Sequence, residues 1–195
     1  MPRELREQLI LDVAGQVFAR AGYHSASMDE ISRLAEVSKP MLYTYFGSKE
    51  GLYVAYIHRT GRELLDRLVQ AGRREAPPLL GLRLRISEFL AFVEEHRDGW
   101  RVLFGEVGAN GPVAAEVADL RRQIAHAVRR MLESSLPVPS GLSPVASDGV
   151  AHAIVGAGES LANWWLEQPD VSRDEVVDLY VSVVQAAVPA VLNRR

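Results

Sequence analysis

The chain has 195 residues, 48% of them hydrophobic, a formal net charge of −3 and no cysteine. That is enough apolar material for a real core, and the missing cysteine excludes disulfides, thiol catalysis and Cys-based zinc sites. A charge of this sign offers no bulk attraction to nucleic acid, so a DNA site would need locally placed cations.

Residues 3–21 place Leu5, Leu9, Val13, Val17 and Ala21 on one helical stripe, with Ile10, Ala14 and Phe18 beside it, up to a stop at Gly22. Ser27 with Glu30 three residues on has the form of a capping box, and predicts a short second helix carrying Ile31, Leu34 and Ala35. Ser38 predicts the cap of a third short helix. Pro40 in its first turn is tolerated because an N–H there has no intrahelical partner. Gly47 ends that helix, and Ser48 caps a long fourth one running to about Glu75, where Ala76-Pro77-Pro78 closes it. Helices are then expected near 79–97, 99–107 and 112–135. The Pro/Ser/Gly-rich stretch 137–147 reads as a loop. Two last helices follow near 148–167 and 172–193, the second capped by Ser172 with Glu175. No strand alternation or internal repeat appears, so the expected fold is all-α.

A supporting helix, a short helix, a tight turn and a second short helix is the helix-turn-helix arrangement that lays a recognition helix in the major groove. "SMDEISRLAEVSKPMLYTYFGSKEGLY", Ser27 to Tyr53, resembles the N-terminal domain of the tetracycline-repressor (TetR) family of bacterial transcription regulators. The resemblance covers about residues 5–53. It implies an N-terminal helix-turn-helix domain over 1–47 and a larger helical effector-binding and dimerisation domain over 48–195, with 48–75 as the connecting helix. Two positions depart from the usual pattern. Glu36 stands in the interhelical turn where glycine is common, and is strained if its φ is positive. Asp29 puts an acid near the DNA-facing side, and is read as a first-turn residue satisfying the helix dipole.

The chain holds only two lysines, Lys39 and Lys49, each one residue after a serine. Both fall in the first turn of an expected helix, where the macrodipole disfavours a cation and a phosphate would reverse the balance. The first fifty residues carry six Lys/Arg against seven Asp/Glu, so placement and not total charge makes the case. Leu42 and Phe46, four apart, are expected to face the core and leave Tyr43 and Thr44 outward. The resemblance implies phosphate contacts for Tyr43, Tyr45 and Lys49, and positions near base edges for Lys39, Pro40, Met41 and Thr44; Tyr45 is alternatively a core tyrosine. Ser27 and Ser38 complete the expected DNA-binding set.

In the C-terminal part, Phe89, Phe92, Trp100, Phe104, Met131 and Trp164 or Trp165 supply large apolar bulk where the resembling family encloses an effector. Ordinary core packing explains most of them equally well. His96, His126, His152, Glu159 and Asn163 are candidates for the few polar groups that orient a ligand. Val150, Ile154, Ala157, Gly158 and Leu161 form one stripe on the penultimate helix, and Val177, Tyr180, Val184, Val188 and Val191 another on the last. Together they predict a four-helix homodimer interface, the alternative being that one face packs only against the effector-pocket domain.

No HExxH or other ligand spacing indicates a metal, no motif implies a cofactor, and no nucleophile elbow, Walker loop or dinucleotide fingerprint indicates catalysis. No apolar run approaches the ~20 residues that span a bilayer, and the first twenty residues lack signal-peptide features, so the expected location is the cytoplasm with no membrane partner. The expected function is a ligand-responsive DNA-binding regulator, a repressor released from a pseudo-palindromic operator by a small, mostly apolar effector. The alternatives are a helical protein-interaction module that has lost DNA binding, and a small helical enzyme. An operator gel shift separates them.

Overall fold

The computed structural model describes residues 2–72, 77–104, 114–135 and 143–192. Every regular element among them is an α-helix: α1 (Arg3–Ser25), α2 (Met28–Leu34), α3 (Lys39–Phe46), α4 (Lys49–Gly72), α5 (Pro78–Glu95), α6 (Arg97–Phe104), α7 (Ala114–Ser135), α8 (Pro144–Trp165) and α9 (Arg173–Leu192). None of the described helices is long and apolar enough to cross a membrane. The chain forms two compact units, one of Met1–Arg62 with His96–Asp119 and one of Glu63–Glu95 with Leu120–Arg195. Helices α4 and α7 each contribute to both.

In the first unit α1 buries Ile10, Ala14, Val17 and Phe18, residues spaced by three and four so that they share one face. Leu5 and Leu9 are exposed instead, so the buried stripe is rotated from the one expected. Helical geometry breaks at Gly22, whose φ of 73° suits glycine. The Tyr53 ring stands edge-on to Phe18 at 4.8 Å and lies 4.9 Å from Tyr23, which ties the start of α4 to the end of α1. One turn further along α4, Tyr56 fits where two other helices lack a Cβ. A methyl at Gly15 of α1 would stand 2.5 Å from the Tyr56 ring, and one at Gly99 of α6 would strike its hydroxyl. Glycine at both places is therefore a packing requirement.

In the second unit α9 packs on α5 and α8. The Tyr180 hydroxyl donates to the Ile154 carbonyl at 2.5 Å, and its ring lies where Gly158 leaves room. Burial pushes the Tyr180 hydroxyl pKa far up, so it stays a neutral donor. The indole N–H of buried Trp165 donates to the Val171 carbonyl at 2.9 Å and pins the turn between α8 and α9. Ser172 and Glu175 make the expected reciprocal cap: Glu175 accepts from the Ser172 N–H at 2.9 Å and Ser172 Oγ accepts from the Glu175 N–H at 3.3 Å. Hydrogen bonds donated to the Glu175 carboxyl by the Ser172 hydroxyl, at 2.7 Å, and by the Ser172 N–H hold it below its usual range.

Two expectations need correction. The stretch 137–147 is not all loop, because α8 already begins at Pro144; Ser143 caps it, accepting from the Ala146 N–H at 3.2 Å, and proline sits in the first turn as it does in α3. The Ser27–Glu30 box does not form: Ser27 makes no side-chain cap, and Glu30 instead pairs with Arg20 at 2.5 Å. The expected residues 105–107, 112–113, 137–142 and 193 lie outside the described ones.

Candidate DNA-binding surface

Between α2 and α3 the chain turns at Glu36, whose φ is 53°; it is the one non-glycine residue among those described with positive φ. The Val37 N–H reaches back to the Ser32 carbonyl at 3.0 Å and closes the turn. A left-handed conformation at a residue with a Cβ costs about 1–2 kcal/mol, so the turn geometry is imposed by the packing of α2 on α3.

Both ends of α3 are fixed by the residues that predicted them. Ser38 Oγ accepts from the Met41 N–H at 3.3 Å, Pro40 lies in the first turn, and Gly47 takes the C-cap with φ 74°. Leu42 is fully buried, and Met41, Tyr45 and Phe46 are half-buried. Ser38, Lys39, Pro40, Tyr43 and Thr44 are exposed. The Thr44 hydroxyl donates to the Pro40 carbonyl at 2.9 Å, which leaves its remaining oxygen capacity for an outside partner. A short, rigid helix thus presents a cation, a phenol, a hydroxyl and a proline ring together.

The two lysines have different surroundings. The Lys39 ammonium lies 2.8 Å from Asp29 Oδ1 and 2.9 Å from Oδ2, and the hydrogen bond it donates to Asp29 holds its pKa above the ordinary lysine range. The Lys49 ammonium donates to the carbonyls of His24 at 2.9 Å and Ala26 at 3.2 Å, and sits 4.9 Å from the centre of the Tyr23 ring. Those carbonyls end α1, so Lys49 satisfies acceptors a helix C-terminus leaves open. It fastens the start of α4, which Ser48 caps through the Gly51 N–H at 2.9 Å, to the entry of α2.

Three residues of this surface were not anticipated in these roles. Asp29 was read as a helix-dipole residue and is the partner of Lys39. Arg3 places its guanidinium 5.2 Å from the centre of the Tyr45 ring, a pairing across 42 positions that no local spacing signals. Glu30 pairs with Arg20 across the α1–α2 turn.

The effector candidates do not fall in one unit. His96, Trp100 and Phe104 belong to the first, where the buried Trp100 and Phe104 rings lie 4.2 Å apart. Phe89, Phe92, His126, Met131, Glu159, Asn163 and Trp164 belong to the second. Phe92 is buried under the Arg67 guanidinium, 5.6 Å from its ring centre. Glu159 accepts from Arg121 Nε through both oxygens, at 3.1 and 3.0 Å, yet burial outweighs that partner and raises its pKa. His126, Asn163 and Trp164 are exposed, so they are not interior residues; Trp165 is the buried member of the tryptophan pair.

The expected dimer stripes are likewise divided. Gly158, Val177, Tyr180 and Val184 are buried within the chain, where α8 meets α9, and so are not free to meet a second copy. Val150, Ile154 and Leu161 are half-buried and Ala157 is exposed. The side chains of Val188 and Val191 lie outside the described ones. The exposed residues of these helices include the small Gly149, Ala153, Gly156, Ala157 and Ser160 beside Asp148, His152 and Trp164 on α8, and Leu179, Val183 and Ala186 beside Asp178, Ser182 and Gln185 on α9.

Comparison with known proteins completes the description. The profile described as "Bacterial regulatory proteins, tetR family" matches residues 10–56, and "Tetracyclin repressor-like, C-terminal domain" matches residues 80–187. The HTH-type transcriptional activator FasR of Mycolicibacterium smegmatis is 32% identical over 180 residues, which are 91% of this chain and 80% of that protein. A TetR-like transcriptional regulator from Rhodococcus sp. RHA1 superposes with a TM-score of 0.75 at 35% identity, over 97% of this chain and 98% of the other. A tetR-family regulator from Streptomyces coelicolor gives 0.80 at 27% identity, over 98% and 83%. The chain belongs to the tetracycline-repressor family: it is a ligand-responsive, DNA-binding transcriptional regulator and not an enzyme, working as a dimer on operator DNA.

Proposed function

We propose that this regulator is a cytoplasmic repressor that holds a pseudo-palindromic operator through α3 and releases it when a small, mostly apolar effector binds. The observation that carries the reading is the side-chain distribution on α3: Leu42 is buried while Ser38, Lys39, Pro40, Tyr43 and Thr44 stand exposed on a helix capped at both ends. Exposed groups of those types serve no core, and they match what groove and phosphate contacts require. Tyr43, Tyr45 and Arg3 grip the backbone in this scheme, and Lys39, Pro40, Met41 and Thr44 face base edges. Ser27 and Ser38 start the helices that aim them. Lys49 has a share in phosphate contact and a larger one in holding α4 to α1.

Residues 1–47 form the DNA-binding part functionally, and 48–195 the effector and dimer part. The subunits meet through the exposed small and apolar residues of α8 and α9, with Ala157, Val150, Ile154 and Leu161 at the margin. An apolar effector finds its contacts in the second unit, among Phe89, Phe92 and Met131, with Glu159 as the polar group. It displaces DNA only if it favours a dimer geometry other than the one in which recognition helices stand about 34–36 Å apart. Helix α4, which carries Lys49 at one end and enters both units, is the element that transmits the change.

The test is enrichment of genomic fragments on the purified dimer, followed by a reporter driven from an enriched fragment. Repression relieved by an apolar compound is expected, and Tyr43→Ala should abolish enrichment. The relative of 32% identity is named an activator, which favours a second reading of the sign alone. Reporter output that rises with the regulator would select it.

A further inference from the structure

We propose that Asp29 and Lys39 act as one base-reading unit, with Asp29 a specificity-determining residue that accepts from a base amino group while Lys39 donates to the keto group paired with it. The proposal rests on the DNA-binding reading above. It starts from three features of the pair. Both side chains are substantially exposed, 71% for Asp29 and 45% for Lys39, so their ion pair adds little to stability. Both oxygens of the Asp29 carboxylate, in the first turn of α2, lie within 2.9 Å of the Lys39 ammonium, in the first turn of α3. Finally, an acid on a surface that meets phosphate opposes binding unless it has a task there, and satisfying the N-terminus of α2 does not require both its oxygens to face a lysine of another helix.

The task follows from the spacing. In the major groove a G·C pair shows guanine O6 and N7 as acceptors and the cytosine N4 amino group as donor. Guanine O6 and cytosine N4 are themselves hydrogen-bonded, so they lie about 2.9 Å apart. An ammonium and a carboxylate oxygen 2.8 Å apart have the same separation and the opposite donor and acceptor order. Lys39 set against O6 therefore leaves Asp29 beside N4. A thymine–adenine pair offers a keto and an amino group in the same order but lacks the second acceptor at N7 and places the thymine methyl beside the keto group, so guanine is preferred. The inverted pair, C·G, sets amino against ammonium and keto against carboxylate, and is rejected at both atoms. Asp29 thus makes the lysine sensitive to which strand carries the guanine. The coupled pair is also neutral as a whole, so it adds nothing to non-specific attraction; freed of Asp29, Lys39 becomes one more phosphate-seeking cation.

The experiment measures binding of wild type, Asp29→Ala, Lys39→Ala and the double variant to an enriched operator, to a panel of its single-pair variants including inversions, and to unrelated DNA, with thermal melting to verify folding. Asp29→Ala should reduce discrimination against the inverted pair about ten-fold at one position in each half-site, while binding unrelated DNA more tightly with a steeper salt dependence. The double variant should discriminate no worse than Lys39→Ala alone. Asp29→Asn, which keeps an acceptor without the charge, should retain part of the discrimination. Equal changes on every sequence, or losses from Asp29→Ala and Lys39→Ala that multiply as independent sites, would overturn the proposal and leave the DNA-binding reading intact. Failure of the wild type to enrich any fragment overturns both.

Discussion

The exposed face of α3 and the exposed face of α8 and α9 are both left uncovered by their own chain, and they differ in chemistry. On α3 the uncovered side chains are polar or cationic, with a phenol among them. On α8 a row of glycine, alanine and serine lies uncovered beside larger residues such as His152 and Trp164, joined on α9 by Leu179 and Val183, each nearly half exposed. A helix face that carries donors and a cation suits an anionic groove. One that carries small and apolar residues lets another helix approach closely and bury area. Two neighbouring glycines sharpen the contrast. A Cβ at Gly156 would meet nothing within 4 Å, whereas a Cβ at Gly158 would stand 2.8 Å from the Tyr180 hydroxyl and 3.3 Å from its ring.

The largest effect should therefore come from Gly156→Arg. A cation on the proposed subunit face should give folded monomers and weaken operator binding about 100-fold or more, since the second half-site no longer benefits from linkage; sedimentation and titration on one operator check both. Dimers with unchanged affinity would move the subunit interface elsewhere. Gly158→Ala tests the opposite expectation: about 1–3 kcal/mol lost on unfolding as Tyr180 is displaced, with dimers retained. Lys49→Ala comes next on the DNA side. Removing an ammonium that serves two carbonyls and an aromatic face should lower stability by about 1–3 kcal/mol, so a loss of DNA affinity in this variant must be read beside its melting curve. Lys39→Ala should leave melting nearly unchanged while altering base preference and, by leaving the Asp29 carboxylate uncompensated, weakening binding to all DNA, which separates lysines the sequence presents as a matched pair.

Much of the first surface was legible in the sequence because its determinants are local. Ser38, Pro40 and Gly47 act within one helix, and four residues suffice to recognise each cap. The turn at Glu36 was placed for the same reason, with strain expected there if φ is positive, as its value of 53° shows it to be. The partners of the lysines were not legible: His24 and Ala26 lie more than twenty positions from Lys49, and Asp29 ten from Lys39, so no periodicity joins them. Burial within the expected dimer stripes was not legible through a related ambiguity. Gly158 and Gly156 have the same composition signal, and only the position of Tyr180 decides which of them is filled from within the chain. Ser27 and Glu30 carried the capping-box pattern, but Arg20 competes for the carboxylate and wins.

Smaller effects test these competitions. Glu36→Gly should stabilise the first unit by about 1 kcal/mol by removing left-handed strain, measured by chemical denaturation. Glu159 has a raised pKa in the fold, mainly from burial, so its protonation favours the native state and its stabilising effect is lost as pH rises through that value. Glu159→Gln should accordingly be at least as stable as wild type at pH 7, and the two melting temperatures should converge as pH falls toward the raised value. A gap that widens on acidification would mean that Arg121, and not burial, governs the site.

The two faces make a joint statement about symmetry: a pair of α3 helices is presented to DNA only if α8 and α9 bring two copies together. Hydroxyl-radical protection on an enriched genomic fragment reads this in one experiment. Two protected half-sites related by an approximate two-fold and centred about one helical turn, roughly 34–36 Å, apart or a multiple of it are expected. A single protected stretch with no symmetry mate, bound with the same affinity by wild type and Gly156→Arg, would contradict it.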